Sequence, residues 1–170
     1  MLYLNRIFFE GIKMKVIAII NQKGGVAKTT STINLAAYLA KAGKKTLIID
    51  LDPQGNASSG LGVNRFDLSK CIYDGLIDNE PVRNITLKTN VENLDIIPAT
   101  IQLAGAEIEM VGMLTREYLL KNLIKEIRDY DFVLIDCPPS LGLLTINALT
   151  AANQYLVPIQ CEYYALEGLG

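Results

Sequence analysis

A continuous apolar run, Val16-Ile17-Ala18-Ile19-Ile20, opens directly into a lysine- and glycine-rich loop, and the loop opens into a helical stretch. The loop reads Asn21-Gln22-Lys23-Gly24-Gly25-Val26-Ala27-Lys28-Thr29-Thr30. Strand, glycine-rich loop, helix is the order a phosphate-binding loop requires. Glycines let backbone N–H groups turn inward around phosphate oxygens, and the helix N-terminus adds partial positive charge. In such a loop Lys28 reaches the β- and γ-phosphates of a nucleotide and the Thr29 hydroxyl ligates Mg²⁺. Gln22 and Ala27 stand where the standard G-x-x-x-x-G-K-[ST] pattern has its two glycines, and a second lysine, Lys23, precedes Gly24 and Gly25. This is the deviant Walker A variant. An isolated Gly-Gly-x-x-Lys is as often an ordinary turn; the buried strand before it and the amphipathic helix after it decide for the phosphate loop.

The same apolar pattern recurs at Thr46 to Ile49, Leu94 to Ile97, Phe132 to Ile135 and Tyr155 to Val157. Runs of this kind are strands buried on both faces. Between the first two, Lys28 to Lys41 reads as a helix with Ile33, Ala36, Ala37 and Ala40 on one face and Gly43 as its C′ residue. Thr115 reads as the N-cap of a second helix reaching about Arg128, with a stripe of Leu119, Leu120, Leu123, Ile124 and Ile127. A third runs from about Leu143 to Ala152. Between Ala57 and Asn93 the pattern gives only a short helix near Ser69–Ile77 and a turn at Asn79-Glu80-Pro81. Strands alternating with helices predict an α/β fold of the P-loop NTPase class: a mostly parallel sheet with helices on both faces, incomplete at the C-terminus.

Carboxylates stand at the ends of two of these strands. Asp50 and Asp52 close the second, two residues apart and so on one side of an extended chain; Pro53 and Gly55 then break it. Asp136 closes the Phe132 to Ile135 strand, ahead of Cys137-Pro138-Pro139. A carboxylate after four apolar residues, at the edge where open α/β sheets bind ligands, is the Walker B arrangement and would hold Mg²⁺ directly or through water. One strand-end aspartate is usually a cap or a turn residue. Three facing one phosphate loop point to a metal and nucleotide site.

Composition removes other chemistries. The chain has 170 residues and no histidine, which excludes a Ser-His-Asp triad and every His-ligated metal. Cys71, Cys137 and Cys161 are far apart, and no C-x-x-C is present. They read as reduced, small buried hydrophobes rather than a disulfide framework. A net charge of −2 is not that of a strongly basic nucleic-acid module. Residues 1–13 form an N-terminal extension, non-native or disordered, that is too short and interrupted to span a bilayer. Met14 reads as the natural start, and 14–170 as a single nucleotide-binding domain cut short at Gly170.

KGGVAKTTSTINLA, LIIDLDPQGNASSG, DFVLIDCPPSLG and VPIQCEYYALEGL closely resemble the ParA/Soj chromosome- and plasmid-partition ATPases. These belong to the deviant Walker A class that also holds MinD and the nitrogenase iron protein. The resemblance runs from about Met14 to Gly170, and DPQGN and EYYALEGL are its partition-specific segments. It implies an ATP/ADP- and Mg²⁺-dependent ATPase, cytoplasmic and nucleoid-associated, with no membrane partner. Such a protein forms an ATP-dependent homodimer, binds non-specific DNA, and hydrolyses ATP when a ParB-type partner docks.

Carried over by position, the nucleotide lies on residues 23–30: Lys23, Gly24, Gly25, Val26, Ala27, Lys28, Thr29 and Thr30. Lys23 reaches the other subunit's nucleotide, Lys28 acts on the bound one, Asp52 orients the attacking water, and Thr29, Asp50 and Asp136 stand at the metal. Ala27 departs from the commoner glycine. Family members continue for roughly a further third of their length, which carries remaining strands, the adenine-recognition loop and the basic DNA-binding surface.

Other readings are a non-catalytic nucleotide-binding fragment, a MinD-like membrane-site ATPase and an iron–sulfur reductase. DPQGN argues against the MinD type, and the spacing of Cys137 and Cys161 against a shared cluster. Tyr163 and Tyr164 read as core residues before they read as a nucleotide or partner surface.

Overall fold

The structure, a computed structural model, describes residues 14–160. The N-terminal extension, Cys161, Tyr163, Tyr164 and the EYYALEGL segment lie outside the described residues. Within them, β1 (Lys15–Ile19), β2 (Thr46–Asp50), β3 (Leu87–Lys88), β4 (Leu94–Ile97), β5 (Phe132–Asp136) and β6 (Gln154–Leu156) form one sheet in the order β3-β4-β2-β5-β1-β6. All pairings are parallel except the antiparallel pair of β3 with β4. The strand runs read from the sequence fall on β1, β2, β4, β5 and β6, each within a residue at either end.

Side-chain alternation divides the core between the two faces of the sheet. Ile48 of β2 and Leu134 of β5 pack beneath α1 (Lys28–Lys41), where Ala36 and Ala40 let the helix lie close. On the opposite face Leu47, Ile49, Val133 and Ile135 meet α3 (Ile72–Ile77), α5 (Leu103–Met110), α6 (Leu119–Ile124) and α7 (Leu143–Ala151). Each fully buried Leu or Ile contributes roughly 1.5–3 kcal/mol of transfer free energy. Of the inner face read for α1, Ala36 and Ala40 are in the core and Ile33 packs against it; Thr32 joins that face, and Ala37 lies at its margin. Thr32, Ala36 and Ala40 are buried, while Ile33 and Ala37 are partly exposed.

The second helix is corrected. Thr115 is not its N-cap: it sits at φ +55 and makes no side-chain cap bond. A 3-10 turn over Arg116–Tyr118 leads into a shorter α6, and Leu120 N donates to Asn147 Oδ1 of α7 at 3.0 Å. The chain between α6 and β5 closes in i→i+3 turns and ends at Asp129, φ +67. Two helices, α2 (Asn56–Gly60) and α4 (Val82–Ile85), occupy the stretch the sequence left mostly open.

β5 lies between β1 and β2 although it follows them in sequence by more than 80 residues, as the parallel register Ile19↔Asp136 and Asp50↔Asp136 shows. This insertion is the topological switch point of the sheet. It brings the carboxyl ends of β1, β2 and β5 together, and with them the glycine loop and the strand-end aspartates.

Candidate functional site

The glycine loop leaves β1 through an Asx turn: Lys23 N donates to Asn21 Oδ1 at 2.9 Å, while Asn21 Nδ2 donates to the Pro158 carbonyl at 2.9 Å. Gly25 (φ +74) and Ala27 (φ +65) both take the left-handed conformation, and Val26 between them is buried as the loop's anchor. Alanine at +65 carries strain of about 1 kcal/mol or more that glycine would not. We expect Ala27→Gly to raise the melting temperature by roughly 1–3 °C, the relief being partly offset by glycine's greater unfolded-state entropy. A fall in melting temperature would mean that Ala27 contributes contacts outweighing its backbone strain.

The loop and α1 border a cleft of about 690 Å³. Gly24, Gly25, Lys28 and Thr29 of the loop and α1 line it, together with Asp52 and Pro139. Lys28 is almost fully buried, and its ammonium donates to the Lys23 carbonyl at 3.3 Å, folded back across its own loop. Lys23 is exposed on the outer part of the loop. Thr29 Oγ1 donates to Asp136 Oδ2 at 2.7 Å, and Thr32 Oγ1, one turn further along α1, donates to Asp136 Oδ1 at 3.0 Å. The structure therefore joins the first turn of α1 to the end of β5 through a single carboxylate.

The aspartates divide the work. Asp136 is fully buried; burial pushes its carboxyl above the usual range, against the bonds from Thr29 and Thr32, and the Asp52 charge adds to the rise while Lys28 opposes it. Asp50 is also fully buried, and burial pushes it up to about 7 despite the donors from Ser58. Its Oδ2 accepts Ser58 N at 2.8 Å and Ser58 Oγ at 2.7 Å, and its Oδ1 accepts the Asp52 amide at 3.3 Å.

The shared direction read for Asp50 and Asp52 is not what the structure builds. Asp50 is turned onto α2, whereas Asp52 borders the cleft. Among the described residues no group of three or more His, Cys, Asp or Glu forms a metal cage. Asp52 Oδ1 accepts the Gln54 amide at 2.8 Å, which fixes that carboxylate at the head of the Pro53-Gln54-Gly55 turn.

Three residues here were not read from the sequence. Thr32 was legible, since it stands one helical position past Thr29's turn and shares its face of α1. Ser58 was not, because nothing in Ala57-Ser58-Ser59-Gly60 marks which serine meets Asp50. Pro139 at the cleft mouth follows from the chain passing directly from Asp136 into the loop before α7. Cys137 and Cys71 are buried, and burial raises the thiol of each, that of Cys137 well above its ordinary value.

An AAA-domain family model, AAA_31, matches residues 14–170. The chain belongs to this AAA-domain family. Within it the chain is 60% identical over 156 residues to the sporulation initiation inhibitor protein Soj of Bacillus subtilis, an alignment covering 91% of this chain and 62% of that one. It is 51% identical to the chromosome partitioning protein ParA of Myxococcus xanthus, across 91% of this chain and 55% of that protein. The chain thus spans about three-fifths of the length of these curated relatives.

Solved structures of similar fold include the cobyrinic acid a,c-diamide synthase of Mycobacterium smegmatis with bound ADP and magnesium. It has a TM-score of 0.89 at 43% identity, over 93% of this chain and 64% of that one. A plasmid partition protein of Borrelia burgdorferi bound to AMPPNP has a TM-score of 0.81 at 33% identity, over 92% of this chain and 67% of that one. These likenesses bear out the family and the P-loop α/β class read from the motifs. Among the described residues of this AAA-domain chain, no helix is long and apolar enough to cross a membrane.

Proposed function

We propose that this chain is the nucleotide-binding part of a ParA/Soj-type partition ATPase, which binds and hydrolyses ATP with Mg²⁺. The observation that carries this reading is the Thr29–Asp136 hydrogen bond beside Lys28 at the mouth of the glycine loop. It brings the Walker A hydroxyl and the Walker B carboxylate together at one point, which is what a phosphate-bound Mg²⁺ needs. Mg²⁺ is commonly held by one or two protein oxygens together with phosphates and water. Thr29 and Asp136 would hold the ion, and it would supply charge neutralisation at the transferring phosphoryl group. ADP–magnesium and AMPPNP in the two structural neighbours support the same ligands here.

The loop's N–H groups and Lys28 bind and orient the phosphates. Asp52, which lines the cleft, orients the attacking water. Lys23, exposed on the loop, acts on the nucleotide of a second subunit. In the whole protein these parts make an ATP-switched homodimer that binds non-specific DNA and answers to a ParB-type partner. It would act in chromosome or plasmid segregation, in the cytoplasm and on the nucleoid. The 60% identity to Soj favours this over the synthase activity of the M. smegmatis neighbour at 43%.

Calorimetric titration of the chain with ADP tests the binding half of the reading. We expect one saturable site in Mg²⁺ and affinity at least about tenfold lower in EDTA. No binding at millimolar ADP, or binding indifferent to Mg²⁺, would overturn it.

A further inference from the structure

The loop that presents Asp52 is held from outside by a residue no motif includes. Arg65 lies after α2, on a turn closed by Asp67 N to the Asn64 carbonyl at 3.2 Å and by Asn64 Nδ2 to Asp67 Oδ2 at 2.5 Å. From this turn its guanidinium reaches back and donates to the Gln54 carbonyl. The amide of the same residue, Gln54, donates to Asp52 Oδ1 at 2.8 Å. Two consecutive hydrogen bonds therefore link the guanidinium to the carboxylate at the cleft.

Gly55 shows how closely the side chain is seated. At φ +60 its hydrogen faces the arginine, and a Cβ there would stand 2.6 Å from Arg65 Cδ, 2.6 Å from Arg65 Nη1 and 2.9 Å from the Ala99 carbonyl. The arginine stem and the Ala99 carbonyl, just after β4, thus both close against the Cα of Gly55, leaving no room there for a side chain. A guanidinium on a carbonyl acceptor is a charge-assisted bond, stronger than a neutral one. Its fork of donors keeps its direction better than an ammonium would. Next to it, Phe66 is 94% exposed, so the turn that carries the clamp contributes no apolar side chain to the core there.

We propose that Arg65 is a positioning residue for Asp52: it fixes the 52–55 turn so that the carboxylate is held at the cleft, and it governs turnover rather than nucleotide affinity. The inference rests on the assignment of Asp52 to the attacking water.

The test has one arm on the chain alone and one on turnover. In the 170-residue chain, hydrogen exchange at the Gln54 and Gly55 amides should accelerate about tenfold or more in Arg65→Ala and about threefold or less in Arg65→Lys. Mg²⁺–ADP affinity should stay within about twofold in both. In a version extended to the relatives' full length, Arg65→Ala should lower kcat for ATP about five- to tenfold, with Arg65→Lys recovering part of the loss.

In an Asp52→Ala background, Arg65→Ala should cost nothing further, because both changes act through one carboxylate. Unchanged exchange at Gln54, or a loss of turnover that adds to that of Asp52→Ala, would overturn the proposal. If the unsubstituted extended protein turns over no ATP, the ATPase reading fails instead, and the exchange arm still decides whether Arg65 holds the turn.

Discussion

Lys28→Ala should weaken Mg²⁺–ADP binding at least tenfold, a loss of roughly 1.4 kcal/mol or more. Among the described residues lining the cleft, Lys28 carries the one cationic side chain, and it is held there almost completely out of solvent. Charge-assisted contacts to phosphate are the strong kind, and a desolvated site strengthens them further. Alanine leaves the loop's glycines and the Thr29–Asp136 pair in place but removes the charge that opposes the buried carboxylates. Calorimetry on both proteins checks the outcome, with circular dichroism confirming that each is folded. Lys28→Arg separates charge from shape: it keeps the cation, yet its planar fork does not reproduce a point charge, so it should recover only part of the affinity. Equal affinities for the wild type and Lys28→Ala would sink the phosphate-loop assignment.

The parts of this molecule that were legible in the sequence are those whose signal is local. β2 and β5 are buried on every residue, so their apolar runs are unbroken and their ends at Asp50 and Asp136 are sharp. The glycine loop shows itself because lysine, glycine and threonine must stand at fixed spacing between a strand and a helix. Thr115 failed for a reason that residue type cannot reveal. Threonine is a favoured N-cap, but here the chain turns at φ +55, and the Leu120 amide of α6 is satisfied instead by Asn147, 27 residues beyond Leu120. α7 shows the same thing: its N-cap is Gly142, and Leu144 N donates to Glu107 Oε1 of α5 at 3.3 Å.

α5 itself escaped notice because its pattern is blurred. Leu103, Ala106 and Met110 face the core, but Ile108 is 78% exposed on the other side, so no polar face sets off the apolar one. Within the site, the presence of Asp50 was legible but its orientation was not. The two-residue spacing implied a common direction only if the chain stayed extended. The strand ends at Asp50, and Ser58 captures the carboxylate once α2 has folded back.

The largest effect on turnover should come from Asp52, and Lys23 makes its test decisive. In a protein carrying this sequence and extended to the relatives' full length, Asp52→Ala should keep ATP affinity and lower hydrolysis by roughly 10²-fold or more, as removal of a group acting only in the transition state does. Asp52 lines the cleft and makes its bond to Gln54, not to Thr29 or Lys28, so nucleotide binding has little reason to change. If Asp52→Ala abolished binding as severely as Lys28→Ala, Asp52 would belong with the metal ligands.

Lys23→Ala should also leave monomer affinity near wild type, because the lysine is exposed on the loop while Lys28 occupies the cleft. What it should lower is ATP-dependent dimer formation and hydrolysis. Mixing the two inactive variants then distinguishes action within a subunit from action across the dimer. In a mixed dimer the Lys23→Ala subunit keeps its own Asp52 and receives Lys23 from its neighbour, so one of its two sites is complete. Random pairing at equal concentrations makes half the dimers mixed, and about a quarter of wild-type turnover should return. No recovery at any mixing ratio, with heterodimers demonstrated by tagged co-purification, would place the action of Lys23 within its own subunit.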